Sequence, residues 1–460
     1  MDKYRKESDT LGDVNVPHDA LYHTSTARAL NFFDIGIEKP VDAFIKCYAT
    51  LKACAARTNL KLNLLDKKYC VAIEYAASEI ANGKHLNQFE VSIWQSGSGT
   101  QTNMNVNEVI ANLANSKLGN SHSPKEPIHP NDHVNLSQST NDTFPTTMHI
   151  YFSLFIVESL LPTLVKFKKN IEEKIEEFDH QTHIARTHLQ DALPIKMAQS
   201  FTPYLNFVDH TIKELYAVLD KLYLIPIGGT AVGTGFGAHP KYTDYMIEEI
   251  SKTFKLPFSA SAYPGNDMSQ HLALLELSSI LNNFAACYQK MCNDIRFLSS
   301  GPRCGLNNLI LDSNEPGSSI MPGKTNPTQC ESAIMVSIAV IANHSGITQA
   351  CTQSYFELNT NKPLILHLLT QSCRLINDSV NSFTQNCLKG ITINTKQCNE
   401  DIHSSLMLVT ALRPHIGYDN AAKAAQYAHK NETSLKEAVL HFKMLTASEY
   451  DTLIKPEEMT

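Results

Sequence analysis

Most of what would assign a chain of 460 residues to a familiar class is missing from this sequence. Basic charge is not in excess: 39 Lys and Arg stand against 46 Asp and Glu, a formal net charge of −7, so there is no electrostatic footprint for nucleic acid. The eleven cysteines are odd in number, scatter from Cys47 to Cys398 and include no CxxC pair. That excludes a disulfide framework and a zinc ribbon, and implies reduced thiols in a reducing compartment. His, Cys and carboxylate side chains do not cluster at ligand spacing, so no metal is expected. A clean apolar run is absent too. The most apolar stretch, residues 150–165, is broken by Glu158 and Pro162 and falls short of the ~20 residues a membrane span needs. The opening MDKYRKESDTLGDVNVP mixes both charges around no apolar core, which fits neither a signal nor a transit peptide. Together these absences describe a soluble, cytoplasmic protein that engages neither nucleic acid nor membrane.

What the chain has in quantity is helical periodicity. With 43% hydrophobic and 18% charged residues it can bury a large core, and its length suits about three domains or one large multi-part fold. Residues 41–58 carry Phe44, Ile45, Tyr48 and Leu51 at helical spacing. From 146 to 178, Phe152, Phe155, Leu160, Leu164, Phe167, Ile171, Ile175 and Phe178 repeat every three to four residues, and Pro162 is expected to bend this helix without ending it. Four more patterns, at 195–223, 267–298, 327–350 and 362–387, are joined by polar, Gly-rich connectors. That describes an antiparallel bundle rather than a sheet. In the 327–350 pattern Ile334, Met335, Val336, Ile338, Val340 and Ile341 go most of the way round the helix, which predicts contacts between copies of the bundle. Short helices at 401–412, 420–429 and 434–442 read as a small appendage. The expected organisation is a mixed, mainly helical domain over 1–138, a central long-helix bundle over 139–389 and a small helical domain over 390–460.

The chemistry sits in the connectors. Gly317-Ser318-Ser319-Ile320-Met321-Pro322-Gly323-Lys324-Thr325-Asn326-Pro327 begins with a flexible hydroxyl-bearing head. It ends with an ammonium and an amide just before Pro327, which is expected to open a helix at its first position. A mobile hydroxyl followed by fixed donors at a helix entrance suits an anionic substrate whose charge grows during reaction. Gln95 to Asn105 is a second such island: Ser98, Gly99 and Thr100 precede a helix running on from Val106. A third comprises His129-Pro130-Asn131-Asp132-His133-Val134-Asn135 and Ser137 to Asp142. Thr187-His188-Leu189-Gln190-Asp191-Ala192 lies between two long helices, where His188 can face the other islands. Gly228-Gly229-Thr230-Ala231-Val232-Gly233-Thr234-Gly235 is a tight glycine turn. No strand pattern precedes it, so it is not read as a dinucleotide loop.

Taken together these islands resemble the class II fumarases of the fumarase/aspartase superfamily, over essentially the whole chain. GSSIMPGKTNP matches the superfamily signature, with Gly323 before the lysine in the fumarase-like form; SGSGTQTNMNVNEV, HPNDHVN, THLQDALP, GGTAVGTG, SGPRCG and HIGYD are similar to fumarases more than to ammonia-lyases. The resemblance implies a mainly α, three-domain fold whose long-helix bundle pools into a tetrameric helical core. It also implies reversible anti addition of water across fumarate to give L-malate through an aci-carboxylate intermediate, with no cofactor and no metal. By motif, Ser318 resembles the base that removes the C3 proton, and His188 with Glu331 the pair that handles the proton of water. Lys324 and Asn326 would hold the carboxylate that takes up charge. Ser98, Gly99, Thr100, Ser139, Thr140, Asn141, Thr187, Ser319 and Thr325 would complete the substrate site, which the family draws from three chains of a homotetramer. His129, Pro130, Asn131 and Asp132 resemble a second dicarboxylate site.

The sequence departs from the family pattern at Thr140, where a Ser-Ser pair is usual, and at Tyr22–Arg28, Ala198-Gln199-Ser200, Tyr263-Pro264-Gly265-Asn266 and Ser354-Tyr355. Two other readings use the same residues: an aspartate ammonia-lyase-type enzyme, and a catalytically silent structural paralogue. THLQDA argues against the first, because His188 suits water chemistry. Joint retention of Ser318, His188, Lys324, Asn326 and Glu331 argues against the second.

Overall fold

A computed structural model describes residues 3–120 and 125–460. Among the described residues there are seventeen α-helices, while the strands form five sheets of two strands each. The mainly α expectation holds, and the periodic stretches are helices: Asp42–Lys61, Met197–Leu222, Leu272–Leu298, Thr328–Thr352 and Lys362–Asn386. The helix that carries the 146–178 stripe starts earlier than its periodicity suggests. It runs as α-helix from Thr140 to Phe155, a π-turn over Ile156–Leu160, and α-helix again from Leu161 to Phe178. Pro162 cannot donate a backbone hydrogen bond, and the residue four positions before it, Glu158, lies in that π-turn, so the helix passes the proline without ending.

The segment around His188 lies between two long helices, as expected, and is itself a β-hairpin, Thr182–Thr187 paired antiparallel with Gln190–Lys196. The glycine turn does follow a strand, Leu224–Ile225, but one of only two residues, paired parallel with Ser259–Ala260. By length and composition alone two helices, Thr140–Phe178 and Thr328–Thr352, are long and apolar enough to cross a membrane, a test that the core helices of a bundle also pass; 56% and 33% of their most apolar windows are buried in the chain.

The chain divides into two compact units. The first comprises Met1–Pro162, Lys213–Asn283 and Ala339–Ile376. Its core is aromatic: Phe44 lies 5.8 Å from Tyr48 and 5.2 Å from Phe144, ring to ring, and all three are fully buried. Asp42 in the first turn and Lys61 in the last turn of the Asp42–Lys61 helix both suit its dipole. The second unit comprises Thr163–Ile212, Phe284–Ile338 and Asn377–Thr460. Phe167, Tyr288 and Phe383 pack edge to face at its centre. Its C-terminal helices close on their own cluster of Leu408, Leu412, Leu435, Val439 and Tyr450, and capping boxes at Ser434/Glu437 and Thr446/Glu449 start two of them.

Two buried carboxylates hold loops of the first unit. Glu108 accepts the backbone N–H groups of His23, Ser25 and Thr26 at 2.9–3.1 Å, together with the Thr26 hydroxyl at 2.6 Å. It thereby satisfies the free N-terminus of the Thr24–Phe32 helix, for which His23 supplies no side-chain cap. Asp142 does more. One of its oxygens accepts the Ser139 N–H at 3.0 Å, completing a capping box; the other accepts Gly228 N–H at 3.0 Å and Thr230 N–H at 3.1 Å. The Ser139–Asn141 turn is thus fastened to the glycine turn, and Asn141 adds a bond from its Nδ2 to Ala231 O at 2.9 Å.

Burial raises the Asp142 carboxyl to about 6. An amide in its place has one oxygen for donors on both sides, so Asp142→Asn should lower stability by about 1–3 kcal/mol, measured by denaturant unfolding at pH 7. The pH dependence has a definite sign. Between pH 4 and pH 6 the folded state keeps a proton that the unfolded chain has lost, so this group's contribution to stability falls as pH rises through that window. The gap between wild type and Asp142→Asn should therefore narrow from pH 4 to pH 6; a constant gap would count against it.

Candidate active site

The hydroxyl islands meet in the first unit. Gly99, in the left-handed region at φ +84°, begins the Thr100–Lys117 helix. A side chain there would strike the Phe144 ring, and one at Gly97 would overlap the Thr360 carbonyl at 1.3 Å, so both glycines permit close packing of this turn. Ser96, Ser98 and Thr100 then form a ladder of hydroxyls at 2.9 and 2.7 Å. Beside it, Thr140 Oγ1 accepts a hydrogen bond from Asn103 Nδ2 at 2.8 Å, and Ser139 Oγ caps the next helix on Asn141 N–H. Ser98, Thr100, Ser139, Thr140 and Asn141 all belong to this unit, and the turns carrying them are joined through Asn103 and Asp142.

Two lysines that carry no motif lie in the same interior. Lys52 is fully buried and donates to Asn135 Oδ1 at 2.9 Å and Gln138 Oε1 at 3.0 Å. Lys362 donates its backbone N–H to Gly97 O at 3.0 Å, and its buried ammonium has no hydrogen-bond partner among the described residues. Burial lowers both amines to about 7, against the pull of Asp142. The sequence signal for Lys52 is its place one turn after Tyr48, on the apolar face of its helix; Lys362 gives none beyond being a lysine at a helix start.

The expected second dicarboxylate site is also in the first unit. His129, Pro130 and Asn131 line a cleft of about 570 Å³ with Arg28, Lys125 and Thr100, while Asp132 lies outside its lining. His129 Nδ1 accepts the N–H groups of Asn131 and Asp132, both at 3.2 Å. The Asp132 carboxylate is 3.3 Å from the same nitrogen, an ion pair only if that nitrogen carries a proton. Two backbone donors converging on it favour the unprotonated Nδ1, which leaves Nε2–H as the donor.

The second unit holds the signature loop. Gly317 N–H bonds to Lys324 O at 3.0 Å and closes the loop, and the Asn326 amide donates to Gly317 O. A side chain on Gly317 would sit 2.6 Å from Lys324 O, so the closure requires glycine. At the loop's head Ser318 Oγ accepts two backbone N–H groups, from Met321 at 3.0 Å and Ile320 at 3.3 Å. Ser319, Lys324 and Thr325 are exposed. The helix begins at Thr328, one residue later than expected; the Pro327 carbonyl accepts its first bond, from Glu331 N–H at 3.1 Å, and Glu331 lies in the first turn as expected.

Thr187 and His188 are at the tip of the Thr182–Lys196 hairpin. His188 and Leu189 both have positive φ, 55° and 61°, and make its two-residue turn. Thr187, His188 and Glu331 are exposed, and within the chain no hydrogen bond or ion pair joins His188 to Glu331 among the described residues. The departure at Ser200 has a partner of its own: its hydroxyl lies 2.9 Å from His183 Nε2 at the base of this hairpin. Among the described residues no group of three or more His, Cys, Asp or Glu could hold a metal ion.

A lyase family model matches residues 12–342, and one for the fumarase C C-terminus matches 408–460. The mitochondrial fumarate hydratase of Rhizopus oryzae is 46% identical over all of this chain and 93% of that protein. A class II fumarate hydratase of Nitrosomonas europaea is 44% identical with full coverage of both chains. In structure, the class II fumarase of Schistosoma mansoni superposes with a TM-score of 0.96 at 37% identity over 99% of each chain. A Brucella melitensis fumarate lyase:delta crystallin, bound to cobalt, superposes at 0.94 and 35% identity over 99% of each chain. With both family models matched and this identity and superposition holding over the full length, the chain belongs to the class II fumarate hydratase family of lyases.

Proposed function

We propose that this chain is a fumarate hydratase that interconverts fumarate and L-malate by anti addition of water, using neither cofactor nor metal. The observation that carries the reading is Ser318. Two backbone N–H groups directed at Oγ favour its negatively charged form, which is what a serine acting as base needs. In the dehydration direction Ser318 Oγ takes the C3 proton of malate, and the electron pair spreads into the neighbouring carboxylate. The resulting aci-carboxylate is held by the Lys324 ammonium and by the Asn326 N–H that Gly317 leaves free. His188, paired with Glu331, protonates the departing hydroxyl, which leaves as water. Ser98, Gly99, Thr100, Ser139, Thr140, Asn141, Thr187, Ser319 and Thr325 bind the remaining oxygens, and His129, Pro130, Asn131 and Asp132 form a second dicarboxylate site. All these groups fall in segments 1–138 and 139–389 of the sequence, and none in 390–460.

The site is read as shared between copies in a homotetramer. Two features support that: His188 and Glu331 are exposed and not paired with each other among the described residues, and Met335 and Ile338 leave 65% and 54% of their surface open on an apolar helix. Eleven free thiols support a reducing compartment such as the cytoplasm.

Loss of fumarate absorbance, or its growth from L-malate, tests the activity, with aspartate assayed in parallel and a chelator as control. Turnover confined to aspartate, or abolished by chelator and restored by a divalent ion, would overturn the proposal. Ser318→Ala should keep its oligomeric size and lose about 10²–10⁴-fold in kcat; near-normal turnover would reduce Ser318 to a loop residue. His188→Asn and Glu331→Gln should each lower kcat strongly, and the double variant should lose little more than the worse single. Fully additive losses would mean that the two act independently.

A further inference from the structure

A protonated lysine can donate hydrogen bonds but not accept them; the two amide oxygens facing Lys52 suit that form, and its one-way character propagates through the interior of the first unit. The Lys52 ammonium faces Asn135 and Gln138, so both amides must turn their oxygens toward it. Asn135 Oδ1 also receives Asn103 Nδ2 at 3.3 Å, which requires Asn103 to present its NH2 side. The Asn103 oxygen then points the other way, where the Tyr48 hydroxyl donates to it at 2.8 Å. The second N–H of Asn103 goes to Thr140 Oγ1 at 2.8 Å. Thr140 is therefore an acceptor inside the protein, and its own proton has no acceptor among the described residues.

We propose that Lys52 is a positioning residue for substrate binding, fixing through Asn135 and Asn103 the direction in which the Thr140 hydroxyl donates. The inference rests on Thr140 belonging to the dicarboxylate site. Asn135 Nδ2 also donates to the Gln138 carbonyl, and Asn107 Nδ2 to Asn135 Oδ1, both at 3.2 Å; without Lys52 only these longer bonds would hold Asn135, and where they give way Asn103 turns over with it. The Asn103 oxygen would then capture the Thr140 proton, and the substrate carboxylate would lose a donor. The Tyr48 hydroxyl lies 2.8 Å from both Asn103 Oδ1 and Thr143 Oγ1; donated to Asn103, its proton holds that oxygen in place from the far side. The usual Ser-Ser pair has become Ser139-Thr140 here, and the extra methyl restricts the hydroxyl further at χ1.

The test uses the full-length chain and two readouts: the Kd of succinate, an unreactive dicarboxylate, by calorimetry, and KM and kcat with fumarate. Lys52→Met keeps the stem and removes a buried charge, a change that folds tolerate well. It should raise both Kd and KM about 10-fold, the size of one hydrogen bond to a charged group, with the smaller effect on kcat. In a Thr140→Val background, which has no hydroxyl to orient, the same substitution should change Kd less than about 2-fold. Equal losses in the two backgrounds would mean that Lys52 only supports the fold, and would overturn the proposal. An unchanged Kd in Lys52→Met would overturn it as well. Tyr48→Phe provides a second route should Lys52→Met not fold: Kd should rise, again only where Thr140 is present. A wild-type chain that binds succinate but leaves fumarate untouched would remove the hydratase reading and leave the Kd comparison standing. A wild-type chain that does not bind succinate would remove this inference too.

Discussion

A buried carboxylate that accepts backbone N–H groups is the interaction on which the hydroxyl-bearing half of the site depends. Loops rich in serine, threonine and asparagine have little apolar surface with which to hold themselves in place. Here their order comes from below. Asp142 binds three backbone N–H groups from two turns distant in sequence, and Glu108 binds three more at the start of the Thr24–Phe32 helix. A carboxylate has the lone pairs to do this and an amide does not. The cost is visible in the raised Asp142 carboxyl: a charge is kept out of water so that neutral donors above it stay aimed.

Rigidity in one unit is matched by exposure in the other. The Ser318 loop is closed by a single backbone bond between Gly317 and Lys324, and it enters a helix whose first-turn acid, Glu331, is open to solvent. Such a loop holds its hydroxyl, ammonium and amide groups in register with one another while leaving Ser319 and Lys324 accessible. The hairpin tip at His188 does the same with an even shorter turn.

The long helices were legible in the sequence because a stripe repeating every three to four residues matches the turn of an α-helix and not the two-residue alternation of a strand. Their observed ends differ from the pattern by only a few residues for Asp42–Lys61, Thr328–Thr352 and Lys362–Asn386. The islands were legible for the opposite reason: runs of hydroxyls and amides between apolar helices are expensive unless used. The hairpin Thr182–Lys196 was not. Its turn is His-Leu rather than the Asn-Gly that marks two-residue turns, and its alternation is interrupted between Ile184 and Arg186, where the register shifts. Nor was the position of Lys52 against the amides of the islands legible. Asn103 and Asn135 stood in the motifs, but which amide atom faces which partner is decided only when the Asp42–Lys61 helix brings an ammonium against them.

The His188 turn carries one more implication. Two successive residues at φ of 55° and 61° occupy a region from which β-branched side chains are all but excluded, and which histidine, asparagine and aspartate enter more readily than most. The backbone has therefore narrowed the alphabet at position 188 before any chemistry is considered. Of the residues the turn accepts readily, only histidine offers a base that is neutral near pH 7. Chain geometry and proton chemistry arrive at the same side chain by separate routes.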